Sequence, residues 1–218
     1  MTRGLVSLSG GMDSTTVLAL AIKELGVENV GAVSFNYGSL HAPQELSAAA
    51  AVAKWYSIPH DVIDLPRIFS GGHSALMGDA DTPMPELTYE QILAGEGPSP
   101  TVVPFRNANL LSMAVTLAIT QDRSLVYAAM HATDAGGFAY PDCTPEFLGA
   151  FAACVYVGSY HAVQLKFPFI WTAKEDLVGL AWELDAPLHL TWSCYQPVAM
   201  GEGLTHWSAS CGTCPTCI

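Results

Sequence analysis

Short apolar runs alternate along the chain with longer segments whose apolar residues recur at helical spacing. The runs that predict strands cover residues 5–8, 30–35, 62–65, 125–129 and 163–167. The segments that predict helices cover residues 14–25, 43–56, 107–120, 145–157 and 174–184. Such alternation is typical of a parallel sheet with crossover helices. We therefore predict an α/β fold with about five parallel strands and helices on both faces of the sheet.

Two segments depart from this alternation. Residues 66–100 are rich in glycine and proline and lack periodic apolar positions, which predicts a long loop or lid rather than a separate domain. After Pro187 the periodic pattern fades and a cysteine-rich tail begins. We therefore expect a main catalytic domain over residues 1–186 and a small tail, residues 187–218, packed on the same domain.

The charge of the chain restricts its partners. It contains 8 Lys and Arg residues against 20 Asp and Glu residues, a formal net charge of -12, so no broad basic surface is available to follow a nucleic-acid backbone. The first residues lack the apolar core of a signal peptide. The apolar segment 147–163 is shorter than the ~20 apolar residues that span a bilayer. We expect a cytoplasmic protein that binds neither nucleic acid nor membrane, with segment 147–163 as a buried helix or a subunit interface.

A glycine turn follows the first predicted strand, in the sequence LSGGMDSTT. A turn of this kind exposes backbone N–H groups at the positive end of the following helix, which favours an anion such as phosphate. The turn lacks the Gly-Lys-Ser/Thr of the Walker loop and the G-x-G-x-x-G of dinucleotide-binding folds. An ordinary tight turn with a helix cap is the alternative interpretation.

The turn resembles the PP-loop of the ATP pyrophosphatase superfamily at Ser9, Gly10, Gly11, Asp13 and Ser14. The resemblance implies cleavage of ATP between the α and β phosphates, with pyrophosphate held by the loop and Asp13 near magnesium. The nucleotide-binding positions that it implies are Leu8, Ser9, Gly10, Gly11, Met12, Asp13, Ser14, Thr15, Thr16, Val17 and Leu18.

A cation that offsets the charge of the leaving pyrophosphate is the further requirement of such chemistry. The chain has few lysines, and Lys174 begins a late predicted helix in the sequence WTAKEDLVGLA. We predict that Lys174 supplies this charge; a solvated lysine at a helix start is the alternative.

Four cysteines are concentrated near the end of the chain. Cys211, Cys214 and Cys217 form two C-x-x-C steps, and Cys194 precedes them in TWSCYQP. Four thiolates form a complete tetrahedral set for a structural Zn²⁺. An iron–sulfur cluster and a redox thiol pair are the competing interpretations. Cys154 lies in an apolar helical segment, and we expect it to pack there.

Several segments together are more specific than any one motif. Read in order they are SLSGGMDSTT, FNYGSLHAPQE, TVVPFRN, YPDCTPEF, KEDLVGLA, LTWSCY and CGTCPTC. They closely resemble the QueC-type 7-cyano-7-deazaguanine synthases of queuosine biosynthesis, from Leu8 to Cys217. The resemblance implies the Rossmann-like, adenine nucleotide alpha hydrolase type of fold, and it makes a homodimer plausible.

The resemblance implies a ligase that forms C–N bonds. Its substrates would be 7-carboxy-7-deazaguanine, ammonia and Mg-ATP, and an adenylated acid and an adenylated amide would precede the nitrile. The product would serve tRNA or, in a phage-type copy, DNA modification. A relative that adenylates another carboxylate or base, such as a protein-terminus conjugating or tRNA-thiolating enzyme, and a non-catalytic nucleotide-binding module remain alternatives.

The resemblance also assigns residues to the site. Arg106 and Asn107 match a P-x-R-N motif that would meet a carboxylate or phosphate, and Asp134 and Asp142 match acidic positions that would bind the base. Helix caps or turn residues are the alternative roles for these four. Leu40 departs from the family, which often has a basic residue there. The implied catalytic set is Ser9, Asp13, Ser14, Lys174 and Arg106.

Overall fold

The computed structural model describes residues 2–65, 68–70, 72–78, 81–95, 97–199 and 208–218. Five parallel strands form its main sheet in the order β3-β2-β1-β4-β5. The strands are β1 (Gly4–Ser7), β2 (Val30–Asn36), β3 (His60–Asp64), β4 (Leu125–Tyr127) and β5 (Gln164–Lys166). The chain runs outward from β1 to β3 and then returns to β4, so the order reverses between β1 and β4. Ligands of open α/β sheets bind in the crevice at such a reversal.

Helices cover both faces of this sheet, as predicted. They are α1 (Met12–Leu25), α2 (Ala42–Tyr56), α3 (Tyr89–Leu93), α4 (Arg106–Thr120), α5 (Pro145–Gly158) and α6 (Lys174–Glu183). Because side chains alternate along a strand, Val6 of β1 packs with α1, α2 and α6, while its neighbour Leu5 packs with α4 and α5. The two buried clusters hold the sheet between the two helical layers.

Four features differ from the sequence-based predictions. Helix α3 and a 3₁₀ turn, Ala75–Met77, lie in the segment predicted to be a loop. Regular structure persists in the tail, where β6 (Val198–Ala199) pairs with β7 (Ser208–Ala209) in antiparallel orientation. Cys154 is exposed, so the prediction that it packs inside is wrong.

Helix α5 is the fourth difference, because it is not buried within its own chain; the other interpretation of this segment, a subunit interface, stays a prediction. It buries only Leu148 and Val155, since one of its faces lies against the sheet and α4 while the other faces outward. Within the described part of the chain, no helix combines the length and the apolar character needed to cross a bilayer. Residues 66–67, 71, 79–80 and 96 of the predicted loop, and residues 200–207 of the predicted tail, lie outside the described residues.

Candidate active site

The glycine turn lies at the carboxyl end of β1 and packs against α2. Gly10 has φ +87, and a Cβ added there would lie 2.4 Å from the carbonyl oxygen of Glu45 and 2.7 Å from the amide nitrogen of Ala49. Both contacts are to backbone atoms, which cannot move aside without moving α2. The position therefore requires glycine for its conformation and for its close approach to a neighbouring helix.

Two serine hydroxyls fix the shape of the turn. The Ser14 hydroxyl accepts from the Ser9 backbone N–H at 3.2 Å and donates to the Gly11 carbonyl at 3.1 Å. The two hydroxyl oxygens lie 3.0 Å apart, and Ser9 Oγ accepts from the Gly11 N–H. Among the residues that the structure describes, no side chain caps the start of α1, where Gly11 is the N-cap. The first N–H groups of α1 thus begin beside this turn, the arrangement that binds phosphate in other proteins.

Lys174 and Asp13 meet on one face of the sheet, at the starts of α6 and α1, although they lie 161 positions apart in the chain. Lys174 Nζ lies 2.5 Å from Asp13 Oδ2. The start of α6 is itself fixed, because the Lys174 N–H donates to Thr133 Oγ1 at 3.0 Å. His131 approaches the same oxygen, with Nε2 3.8 Å from Asp13 Oδ2. The structure thus places the predicted cation at the predicted loop, together with a buried histidine that the sequence analysis missed.

The start of α4 forms the opposite wall. Arg106 Nη1 donates to the Tyr37 hydroxyl at 3.2 Å, and the Asn107 backbone N–H donates to Asp142 Oδ2 at 2.9 Å. Burial alone would lower the pKa of Arg106, but its electrostatic interactions with Tyr37, Asp142 and Cys143 raise it. Arg106 therefore keeps its positive charge, and Asp142 caps the N-terminus of α4.

Asp134 lies between these two walls. Its Oδ1 accepts a hydrogen bond from the Tyr89 hydroxyl, and its Oδ2 lies 3.4 Å from His131 Nε2. Burial raises the pKa of Asp134, while His131, Tyr89 and Lys174 act in the opposite direction. Tyr89 was not among the predicted site residues. Thr88 and Gln91 form a capping box, a sequence pattern that marks the start of the helix carrying Tyr89.

Part of this set lines one cavity of about 250 Å³ at the carboxyl ends of β1, β2 and β4. Lys174 and Asp142 do not line the cavity themselves but contact the lining residues Asp13 and Asn107. Four further predicted residues are buried in α1 and do not line it: Thr15, Thr16, Val17 and Leu18. Leu40 is exposed and does not line it. The predicted site residues that line the cavity are Leu8, Ser9, Asp13, Ser14, Arg106, Asn107 and Asp134.

The four tail cysteines form a separate cluster. Their sulfur atoms all lie within 4.8 Å of one another, and the Cys214 sulfur is 3.5 Å from that of Cys217 and 4.0 Å from that of Cys194. Metal–sulfur bonds of about 2.3 Å in a tetrahedron place the sulfurs about 3.8 Å apart. Backbone N–H groups of Cys211 and Cys214 point at cluster sulfurs, which favours thiolates. The cluster therefore fits a single metal ion.

The cysteine segment also contacts the glycine turn. The Trp192 backbone N–H donates to the Gly10 carbonyl at 2.9 Å, and the Trp192 indole N–H donates to the Cys194 carbonyl at 2.8 Å. Tyr195, one residue further on, lines the cavity and packs against buried His41. One short segment therefore connects the metal site, the glycine turn and the cavity.

The sheet order, the glycine turn and the facing lysine define a PP-loop nucleotide-binding protein of the α/β class. A family model described as "Queuosine biosynthesis protein QueC" matches residues 3–218, and the chain belongs to this family. It is 38% identical over 218 residues to a 7-cyano-7-deazaguanine synthase of Koribacter versatilis, covering 99% of this chain and 86% of the relative. A Marinomonas relative of the same name is 38% identical over 216 residues, covering 99% and 90%.

Solved structures confirm the predicted fold. The NH3-dependent NAD synthetase from Campylobacter jejuni superposes with a TM-score of 0.51 at 15% identity, covering 86% of this chain and 66% of that one. The U34-tRNA thiolase NcsA from Methanococcus maripaludis gives a TM-score of 0.51 at 15% identity, covering 89% and 62%. At this identity the likeness concerns the fold alone.

Proposed function

We propose that this protein is a ligase that converts 7-carboxy-7-deazaguanine and ammonia into 7-cyano-7-deazaguanine at the expense of ATP. The observation that carries the proposal is the match, over nearly the whole chain, to relatives named 7-cyano-7-deazaguanine synthase. The cavity supports it, because Ser9 and Ser14 of the glycine turn, the Arg106 cation and the Asp134 carboxylate line it together.

The first half of the reaction makes the carboxylate reactive. A carboxylate oxygen attacks the α phosphorus of ATP, the bond to the β phosphate breaks, and pyrophosphate leaves. In this proposal, Ser9, Gly10, Gly11 and Ser14 hold the pyrophosphate, and Lys174 offsets the charge that develops on it. Magnesium bound with ATP near Asp13 would neutralise further phosphate charge. Ammonia then displaces AMP and gives the amide.

The second half repeats the adenylation on the amide oxygen. Loss of AMP and of both nitrogen protons then closes the nitrile, so each carboxylate oxygen departs on one AMP. The enzyme need supply no nucleophile, only position and electrostatics. Cys143, which lines the cavity, fits this account because burial raises the pKa of its thiol and keeps it protonated.

The remaining predicted residues receive distinct roles. Arg106 is the proposed contact for a carboxylate or phosphate, because it stays charged at the cavity wall. Asn107 lies beside it, held by Asp142. Asp134 is the proposed contact for the base. The capping hydrogen bond of Asp142 favours an indirect role, in which it orients the start of α4.

We further propose that the metal is Zn²⁺. Four thiolates held within 4.8 Å suit one ion, whereas a four-iron cluster binds its thiolates at separate corners and holds them farther apart. The contact of Trp192 with Gly10 supports a tail, residues 187–218, that packs on the catalytic domain, residues 1–186, as part of one unit. Metal analysis of the purified protein tests this proposal, since iron in place of zinc would contradict it.

Two properties of the whole molecule complete the proposal. The outward face of α5 exposes apolar side chains, among them Val157 at 69%, and we propose that this face forms a homodimer. The metal-binding cysteines require a reducing compartment, which supports the cytoplasm. Molecular mass in solution, with Val157→Glu as the disrupting variant, tests the dimer.

A direct assay tests the activity. Purified protein is mixed with 7-carboxy-7-deazaguanine, ammonium and Mg-ATP, and the mass of the base is followed. We expect the amide and then the nitrile. Asp13→Ala should abolish turnover and leave the zinc content unchanged, whereas Glu183→Ala, at an exposed acidic residue at the end of α6, should remain active. A folded, zinc-loaded protein that makes neither product would refute the proposal.

A further inference from the structure

Each oxygen of the Asp134 carboxylate has a protein neighbour. The Tyr89 hydroxyl donates to Oδ1, and His131 Nε2 lies 3.4 Å from Oδ2. The two oxygens of a carboxylate offer about four acceptor sites. Each oxygen therefore keeps acceptor capacity for a ligand in the cavity that Asp134 lines.

Tyr89 comes from the segment predicted to be a loop, and its hydroxyl is fixed by a series of contacts. Its ring stacks on that of Tyr140, with centroids 6.2 Å apart and planes within 14°. The Tyr140 hydroxyl is hydrogen-bonded to Thr101 Oγ1 at 2.8 Å, and Thr101 is buried and bonded to Ser99. Tyr89 is thus anchored by buried neighbours rather than by its own short helix.

Helix α3, which carries Tyr89, packs closely on the turn that carries Asp134. Gly137 in that turn has φ +59, and a Cβ added there would lie 2.4 Å from the Leu93 carbonyl oxygen at the end of α3. The helix and the turn therefore form one packed unit, and a shift of either would move the Tyr89–Asp134 hydrogen bond.

His131 connects Asp134 with the nucleotide side of the cavity. Its side chain is 3% exposed, and Nε2 faces both the Asp134 carboxylate and the Asp13 carboxylate, 3.4 and 3.8 Å away. The ring therefore lies between Asp134 and the PP-loop carboxylate, within reach of both.

The base proposed as substrate carries two adjacent donors, the ring N1–H and the 2-amino group. Two adjacent donors match the two oxygens of one carboxylate. We infer that Tyr89 and His131 are positioning residues that orient the Asp134 carboxylate to accept these two donors, and that this contact selects a 2-amino base. The inference rests on the proposed function and assigns its specificity.

The test compares substrate affinity with nucleotide affinity. Tyr89→Phe removes the hydroxyl and keeps the ring, so we expect the KM for 7-carboxy-7-deazaguanine to rise about 10-fold or more, with the KM for ATP within about twofold. Wild type should have a lower kcat/KM for the analogue without the 2-amino group than for 7-carboxy-7-deazaguanine, because one carboxylate oxygen then lacks a donor. Tyr89→Phe should reduce the ratio between these two kcat/KM values. The control is Tyr160→Phe, at a tyrosine that is 95% exposed, and it should change neither constant.

His131 provides a second, independent pair of variants. His131→Gln retains a side-chain N–H donor, so its KM for the base should rise less than that of His131→Leu. Zinc content and Tm of both variants show whether they are folded. Equal KM values for the base in Tyr89→Phe and wild type, or equal rises for base and ATP, would overturn the inference. Wild type without any turnover would instead reject the proposed function. Wild-type turnover with unchanged variants would reject this inference alone.

Discussion

Replacement of Lys174 by methionine separates catalysis from stability. The ammonium lies 2.5 Å from Asp13, but the lysine side chain is 42% exposed, so water screens the pair. Measured ion pairs of this kind contribute about 1 kcal/mol or less to folding. A fixed group that meets charge developing in the transition state contributes far more, and loss of one such group costs roughly 100- to 1,000-fold in kcat.

We therefore expect Lys174→Met to lower kcat roughly 100- to 1,000-fold while the free energy of unfolding falls by about 1 kcal/mol or less. Pyrophosphate release measures the first quantity, and denaturant unfolding measures the second. Lys166→Met is the matched control, because this lysine is exposed on β5, and it should leave both unchanged. A folded Lys174→Met protein that releases pyrophosphate at nearly the wild-type rate would show that the cation has no catalytic role.

Three further predictions follow from single features of the structure. Asp142→Ala removes the cap of α4 and should cost about 1 kcal/mol of unfolding free energy, whereas Asp142→Asn, which keeps an acceptor, should recover most of it; equal losses in a denaturant titration would exclude the capping role. In Val157→Glu, where the proposed partner no longer covers the outward face of α5, Cys154 should react quickly with a thiol reagent at pH 8, while burial raises the pKa of Cys143 and should protect it until the protein unfolds; peptide mapping after labelling would detect the reverse order. Removal of the tail metal by a chelator should lower the Tm and also weaken ATP binding, because Trp192, two residues before Cys194, is hydrogen-bonded to Gly10 of the PP-loop. Unchanged ATP affinity in the metal-free protein would argue against this coupling.

The periodicity of the sequence was sufficient to predict the sheet. Apolar runs mark buried parallel strands because both faces of such a sheet are covered. The same reasoning failed for α5, whose residues are apolar on all sides while only Leu148 and Val155 are buried. Hydrophobicity alone does not reveal whether the second face of a helix meets its own chain or faces outward.

The site was predictable only where a motif carries it. The PP-loop and the cysteine cluster follow from local spacing, and the position of Lys174 beside Asp13 was expected from a chemical requirement. Tyr89 was hidden because its helix is short and lies among glycines and prolines. His131 carries no pattern of its own, since a single histidine after a strand becomes informative only when Asp13 and Asp134 are seen beside it.

The most direct test of the central claim, AMP transfer at the PP-loop, follows the carboxylate oxygens. The substrate is 7-carboxy-7-deazaguanine labelled with ¹⁸O in both carboxylate positions, and the nitrile, AMP and phosphate products are analysed by mass spectrometry. The account predicts two AMP for each nitrile, each with one ¹⁸O atom, and unlabelled pyrophosphate. Label in inorganic phosphate, with ADP in place of AMP, would contradict it.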